Sequence, residues 1–162
     1  MAREAFLNQL GNEQLRIVRT QPYPQRWNEF CRQYQLDWNF TPFEKQLANQ
    51  VDNVPGIYCF HIGHFLNCLP SFGISLYGGI TSRCLRTRFL EYFRERDAEG
   101  GRKWVRKFLL VFDGELSFAW SPIDIEVYDI DELERQFNDA MMPPYSVKDL
   151  SADVKAGRYA WS

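Results

Sequence analysis

The first fifty residues carry apolar positions with a helical period. Four apolar residues near the N-terminus are loosely spaced: Leu7, Leu10, Leu15 and Val18. A second set recurs at i, i+3, i+4 and i+7: Trp27, Phe30, Cys31 and Tyr34. Thr41 followed by Pro42 is typical of a helix N-cap with proline at the first helical position, and Phe43, Leu47 and Val51 continue that face. Residues 1–50 are therefore predicted to form an N-terminal helical extension.

The pattern then changes to short β-rich runs. Residues 57–62 are apolar and aromatic after the Pro55-Gly56 break, and residues 74–77 form a second run that ends at Gly78-Gly79. About a dozen loop residues separate them, which suits an antiparallel hairpin with a long connection.

Helical spacing returns after Ser82. One predicted helix carries Leu85, Phe89 and Phe93 and ends at Gly100-Gly101; another contains Trp104, Phe108 and Leu109. Residues 123–127 alternate apolar and acidic positions, which predicts a half-buried strand. A last helix is expected from Asp131, with Leu133, Phe137 and Met141 facing inward, up to Pro143-Pro144. The order predicts an α+β fold, a small three-stranded antiparallel sheet flanked by helices, with its core and a short polar C-terminal tail over residues 51–162.

Composition is that of one ordinary domain of 162 residues, 45% hydrophobic, with a net charge of −2. The net charge of the whole chain hides a contrast between two segments. Residues 83–107 hold nine basic and four acidic residues, net +5, and residues 108–162 hold four basic and eleven acidic ones, net −7. A phosphate-binding surface beside a metal-binding one has such a pattern, and so do solvated helix faces of opposite sign.

Targeting signals are not visible in the sequence. No run approaches the roughly 18 apolar residues of a membrane span. The N-terminus carries Glu4 and no long apolar segment, so it does not read as a secretory signal. A cytoplasmic protein without membrane partners and with reduced thiols is expected.

Cys59, His61, His64 and Cys68 crowd into ten residues. Two cysteines and two histidines can hold zinc tetrahedrally, but this spacing matches no established zinc motif. Buried thiols beside surface histidines are the alternative, and both interpretations stay open.

The predicted hairpin carries two triplets, Gly56-Ile57-Tyr58 and Tyr77-Gly78-Gly79. They resemble the signatures of the GIY-YIG nuclease superfamily, the second with Gly78 where the family has isoleucine. The next helix carries Leu85-Arg86-Thr87-Arg88, similar to the family's Leu-Arg-x-Arg. Glu134 then precedes Pro143-Pro144-Tyr145-Ser146 at about the family's spacing between its glutamate and Pro-x-Tyr-Asn. The resemblance covers roughly residues 54–148.

The resemblance implies a catalytic set and its cofactor. Tyr58 would be the general base, Tyr77 would hydrogen-bond nearby, Arg88 would clamp the phosphate, and Glu134 would bind one Mg²⁺ or Mn²⁺ ion. Tyr92, one helical turn after Arg88, would assist at the phosphate. A tyrosine acts as a base only where cationic neighbours lower its pKa, a role open to Arg88 and the metal.

Competing interpretations accompany these assignments. Arg86 competes with Arg88 and Glu132 with Glu134; Tyr58 and Tyr77 could be plain strand aromatics, and Glu134 could form a capping box with Asp131. Further phosphate contacts are expected at basic residues of the central segment: Arg83, Arg86, Arg94, Arg102, Lys103, Arg106 and Lys107. Two departures from the family are Ser146 in place of its asparagine and the lack of a lysine after the second triplet, where Arg83 is the nearest cation.

The functional hypothesis is a metal-dependent endonuclease that hydrolyses DNA, of restriction or phage and mobile-element type, acting as a two-fold dimer on DNA. The alternative is a non-catalytic module that binds nucleic acid or protein with the same cleft.

Overall fold

The computed structural model describes Val18 and residues 22–63, 73–98, 101–146 and 150–159. Its helices are α1 (Pro24–Gln33), α2 (Leu85–Asp97), α3 (Lys103–Val111), α4 (Ile130–Met141) and α5 (Ala152–Tyr159). Its strands are β1 (Asn39–Pro42), β2 (Gly56–Ile62), β3 (Ile74–Thr81) and β4 (Ser117–Pro122), and a short 3-10 helix spans Lys45–Gln50. The predicted helical pattern of residues 1–17 lies outside the described part.

A four-stranded antiparallel sheet forms the centre of the protein. Its strand order is β1-β4-β2-β3. Tyr58 in β2 lies opposite Gly79 in β3 and opposite Trp120 in β4, and a bulge interrupts the β2–β3 register between Phe60 and His61. The α+β class and the antiparallel hairpin are confirmed, but the prediction of three strands is wrong.

Alternate residues of β2 send their side chains to two different cores. Tyr58 and Phe60 pack with buried residues of α2 and α3, such as Phe89 and Phe108. Ile57 and Cys59 pack instead with α1 and α4. Because strand side chains alternate between faces, α2 and α3 cover one face of the sheet and α1 and α4 cover the other.

Two strand assignments differ from the sequence expectation. Thr41 and Pro42 do not begin a helix: they lie in β1, which pairs with β4, so residues expected in the N-terminal extension contribute a strand to the sheet. The alternating segment 123–127 is a turn region rather than a strand, with Val127 68% exposed, and β4 precedes it. Gly78 and Gly79 lie inside β3 instead of ending it.

The helix ends follow ordinary capping chemistry. The Cys84 thiol accepts a hydrogen bond from the Thr87 amide at the start of α2. The Asp129 carboxylate accepts from the Asp131 and Glu132 amides at the start of α4, so the N-cap is Asp129 and not the Asp131–Glu134 box. Met142 ends α4 in the left-handed conformation, with φ of 45°.

Within the described segments, none of the helices is both long and apolar enough to cross a lipid bilayer.

Candidate active site

Arg88 joins two buried tyrosines above the sheet. Its Nε donates to the Tyr58 hydroxyl at 3.1 Å and its Nη2 donates to the Tyr92 hydroxyl at 3.2 Å. The two hydroxyls share a hydrogen bond of 2.8 Å. Tyr58 is 1% exposed and Tyr92 is not exposed, whereas the Arg88 side chain is 18% exposed and reaches the surface. A planar guanidinium held at two points is preorganised to present its remaining N–H groups to an anion.

Glycine at position 79 makes room for this arrangement. A Cβ there would lie 2.5 Å from the Tyr58 hydroxyl oxygen. At position 78, on the other face of β3, a Cβ would lie 2.5 Å from the Phe137 ring and 2.8 Å from the Asn138 side-chain oxygen. The first glycine of Tyr77-Gly78-Gly79, which stands where the family that the sequence resembles has isoleucine, therefore has a local packing reason.

Arg102 brings a second guanidinium to the same cluster. This residue immediately precedes α3, and its Nη1 donates to the Tyr77 hydroxyl at 3.1 Å. Its guanidinium carbon lies 5.8 Å from the centroid of the Tyr92 ring. Of the basic residues predicted to contact phosphate, Arg102 is the one that contacts a predicted catalytic tyrosine.

Two glutamates hold these arginines, and sequence reasoning missed both. Glu95 pairs with Arg102 at 2.8 Å and with Arg88 at 3.6 Å, so one carboxylate lies between two guanidiniums. Glu91 pairs with Arg88 at 2.8 Å and with Arg83 at 2.9 Å. The available signal was the i, i+3, i+7 spacing from Arg88, which places all three on one face of a helix.

The ionisation of the tyrosines follows from their burial. Burial raises the pKa of Tyr58 to about 12, with a further increase from Tyr77, and Arg88 offsets only part of that effect. Burial also raises the pKa of Tyr92 well above its ordinary value. Both hydroxyls are therefore protonated near neutral pH, and the lowered pKa expected for Tyr58 is not produced by Arg88 alone. In contrast, the Arg88 hydrogen bond lowers the pKa of Glu91, which stays ionised.

Glu134 reaches the sheet from the opposite face. It lies on α4, and its Oε1 accepts a hydrogen bond of 3.1 Å from the Ile80 amide. Ile80 follows Gly79 in the edge strand β3, so the Glu134 carboxylate lies at the outer edge of the sheet. The competing acid, Glu132, pairs with Arg135 along the surface of α4.

Ser146 covers the same outer edge of β3. Its hydroxyl accepts from the Gly78 amide at 2.9 Å and donates to the Gly78 carbonyl at 3.2 Å, and the Tyr145 amide donates to the Leu76 carbonyl at 3.0 Å. Position 146, where the family that the sequence resembles has asparagine, is therefore still hydrogen-bonded to β3. With Glu134 at Ile80, the chain covers a strand edge that would otherwise expose unpaired backbone groups.

Glu134 and Asn138, four residues apart on α4, carry side-chain oxygens of the kind that a hard divalent ion prefers. No group of three or more His, Cys, Asp or Glu side chains able to hold a metal occurs within the described ranges. One turn after Glu134, however, the Asn138 amide is fully buried and neither its oxygen nor its nitrogen has a hydrogen-bond partner in the structure. A carboxylate and an amide oxygen, completed by water and substrate oxygens, are chemistry that Mg²⁺ and Mn²⁺ accept.

The other basic residues predicted to contact phosphate are distributed along α2 and α3. Arg86 donates from Nε to the Val51 carbonyl at 2.9 Å, which directs it away from the tyrosines. Arg94 and Lys103 are exposed, Arg106 donates to the Arg96 carbonyl, and Lys107 lies over the ring of Trp104.

The structure describes only part of the cluster considered for zinc. His64 and Cys68 lie outside the described residues. Cys59 is buried, and burial raises the pKa of its thiol to about 12, which disfavours the thiolate that zinc requires.

Searches against protein-family models, curated proteins and solved structures returned no match for this chain.

Proposed function

We propose that this protein is a metal-dependent nuclease that hydrolyses phosphodiester bonds of DNA. The observation that carries the proposal is the partly exposed Arg88 guanidinium held by the buried hydroxyls of Tyr58 and Tyr92. Such a group binds a phosphate oxygen in a fixed orientation and stabilises the charge that develops on phosphorus. Arg102, bonded to the Tyr77 hydroxyl, supplies a second cation beside it.

Glu134, with Asn138 beside it, would hold the Mg²⁺ or Mn²⁺ ion at the β3 edge. A bound divalent ion stabilises a leaving oxygen and lowers the pKa of water. The protein's own groups would orient the phosphate through Arg88, whose guanidinium is held by the Tyr58 and Tyr92 hydroxyls. Because Tyr58 is protonated and buried, its role in the proposal is to hold the Arg88 guanidinium in position.

Incubation of purified protein with supercoiled plasmid DNA tests the proposal. Nicking or linearisation is expected with Mg²⁺ or Mn²⁺ and is expected to stop on chelation with EDTA. Glu134→Gln keeps a group able to accept the Ile80 hydrogen bond but removes the charge, so it should fold and lose at least about tenfold in rate. Absence of cleavage of any DNA or RNA by the wild-type protein with either metal would contradict the proposal.

A non-catalytic binding module is the second candidate, and two observations favour it. The pKa of Tyr58 is raised rather than lowered, and Glu134 already serves the sheet edge through Ile80. This candidate predicts DNA binding without turnover, with the same affinity in Glu134→Gln as in the wild-type protein.

A further inference from the structure

Trp104 lies on the outer face of α3 with 57% of its surface exposed. Its neighbours Val105, Phe108 and Leu109 are buried and hold the helix against the sheet. One exposed aromatic residue is ordinary on a protein surface. The surroundings of Trp104 are what distinguish it.

Every charged residue near Trp104 in the chain is basic. Residues 101–112 contain Arg102, Lys103, Arg106 and Lys107 and no acid. The Lys107 ammonium lies 5.1 Å from the Trp104 ring centroid, a cation–π contact. An aromatic ring with a cation against it, in a basic stretch of helix, matches a ligand that has both flat rings and negative charge.

Arg102 connects this surface to the candidate active site. It lies two residues before Trp104, and its guanidinium is bonded to the Tyr77 hydroxyl and lies 5.8 Å from the Tyr92 ring centroid. A nucleic-acid strand with a phosphate bound at Arg102 would therefore pass the beginning of α3.

We propose that Trp104 and Lys107 form a platform on which an unpaired base of single-stranded nucleic acid stacks, while the neighbouring basic residues hold its phosphates. Single-strand binders combine a positive surface with aromatic side chains, and every base presents a π-face for stacking. A base inside a duplex is already stacked on both faces and cannot use the platform. The inference goes beyond hydrolysis, because it concerns binding and requires no turnover.

The test measures affinity without cleavage, in EDTA. Fluorescence anisotropy compares a 12-mer of thymidylate with an abasic 12-mer of the same charge. The wild-type protein should bind the thymidylate more tightly, and Trp104→Ala should lower that affinity about tenfold without changing affinity for the abasic strand. Trp104→Phe should retain most of the affinity.

The matched control is Phe40→Ala, since Phe40 is 59% exposed and lies on β1 at the other edge of the sheet. It should bind like the wild-type protein. Equal thymidylate binding by Trp104→Ala and wild type would overturn the inference, as would an equal loss for the abasic strand. A protein without nuclease activity that shows the expected pattern would refute the proposed hydrolysis and leave the platform standing.

Discussion

At the scale of single residues, the candidate active site depends most on Arg88. The i, i+4 spacing in the sequence predicted that Arg88 and Tyr92 share a helix face, and their hydrogen bond agrees with it. The contact between Arg102 and Tyr77 could not be assigned in advance. It depends on where the start of α3 lies in space, and local periodicity does not contain that information.

Gly79→Ala tests whether Tyr58 needs the space opposite it. The new Cβ would lie 2.5 Å from the Tyr58 hydroxyl, so the phenol or the strand must shift. We expect a loss of about 1–3 kcal/mol in the free energy of unfolding, measured with urea. Gly101→Ala is the control, since its Cβ meets nothing nearer than 3.8 Å, and it should stay within about 0.5 kcal/mol of wild type. Equal stabilities would show that Tyr58 is not tightly held.

Tyr58 also makes stability depend on pH in the alkaline range. Its pKa rises from 10.0 in the unfolded chain to about 12 in the folded protein, because burial disfavours the phenolate. The folded state therefore keeps this contribution below about pH 10 and loses it as the pH rises towards 12. Tyr58→Phe should lose less stability than wild type between pH 10 and 12 in urea titrations. Tyr23→Phe, at an exposed tyrosine, should follow the wild type, and identical slopes for all three proteins would contradict the assignment.

Elements whose signal is local were predicted better than those that depend on distant pairing. The periodicity of residues 85–93 and 104–109 indicated α2 and α3, and β-rich runs indicated β2 and β3. The strands β1 and β4 were missed because they are defined by distant pairing: β1 pairs with β4 across more than 70 residues, and β4 also pairs with β2. The Thr41-Pro42 pair imitated a helix start, and alternation over residues 123–127 imitated burial although Val127 is 68% exposed.

The edge of β3 should lose stability when Ser146 loses its hydroxyl. Ser146→Ala leaves the buried amide and carbonyl of Gly78 without these hydrogen bonds. We expect a cost of about 1–3 kcal/mol in the free energy of unfolding. Ser82→Ala, at an exposed serine just after β3, should change stability by less than about 0.5 kcal/mol. An unchanged free energy of unfolding in Ser146→Ala would mean that these hydrogen bonds do not stabilise the edge of β3.

Glu95 on α2 lies between Arg88 and Arg102, and under the proposed function a phosphate would have to displace it. Glu95→Gln removes the competing charge while keeping the side chain's size. Its affinity for duplex DNA, measured by anisotropy in EDTA, should rise about threefold. Glu126→Gln makes the same charge change at an exposed turn and should bind like wild type. If both variants gain affinity equally, net charge and not the pairing with Arg88 and Arg102 is responsible.

At the scale of the whole molecule, the two faces of the sheet carry opposite charge. The positive segment 83–107 contains α2 and the start of α3 on one face, whereas the negative segment 108–162 contains α4 on the other. The overall charge of −2 therefore conceals segments of opposite charge on the two faces. The contrast in charge between the two segments was visible in the sequence, and in the fold the sheet lies between α2 and α4.

That separation predicts how DNA binding depends on salt. Lys103 and Lys107 lie on α3 without acidic neighbours in residues 101–112. Replacing both with glutamine should lower the slope of log affinity against log salt concentration by about two for duplex DNA. A slope equal to that of wild type would place the bound DNA on another surface.

The most direct test of the central claim is single-turnover cleavage of plasmid DNA by Arg88→Lys. Lysine keeps the charge but cannot hold two tyrosine hydroxyls and a phosphate together. Arg96→Lys is the matched control, because Arg96 lies on the same helix with similar exposure and pairs with Asp97 and Asp113 instead. We predict that Arg88→Lys loses at least about a hundredfold in rate while Arg96→Lys keeps the wild-type rate. Equal rates for Arg88→Lys and the wild-type protein would contradict the assignment of this cluster as the active site.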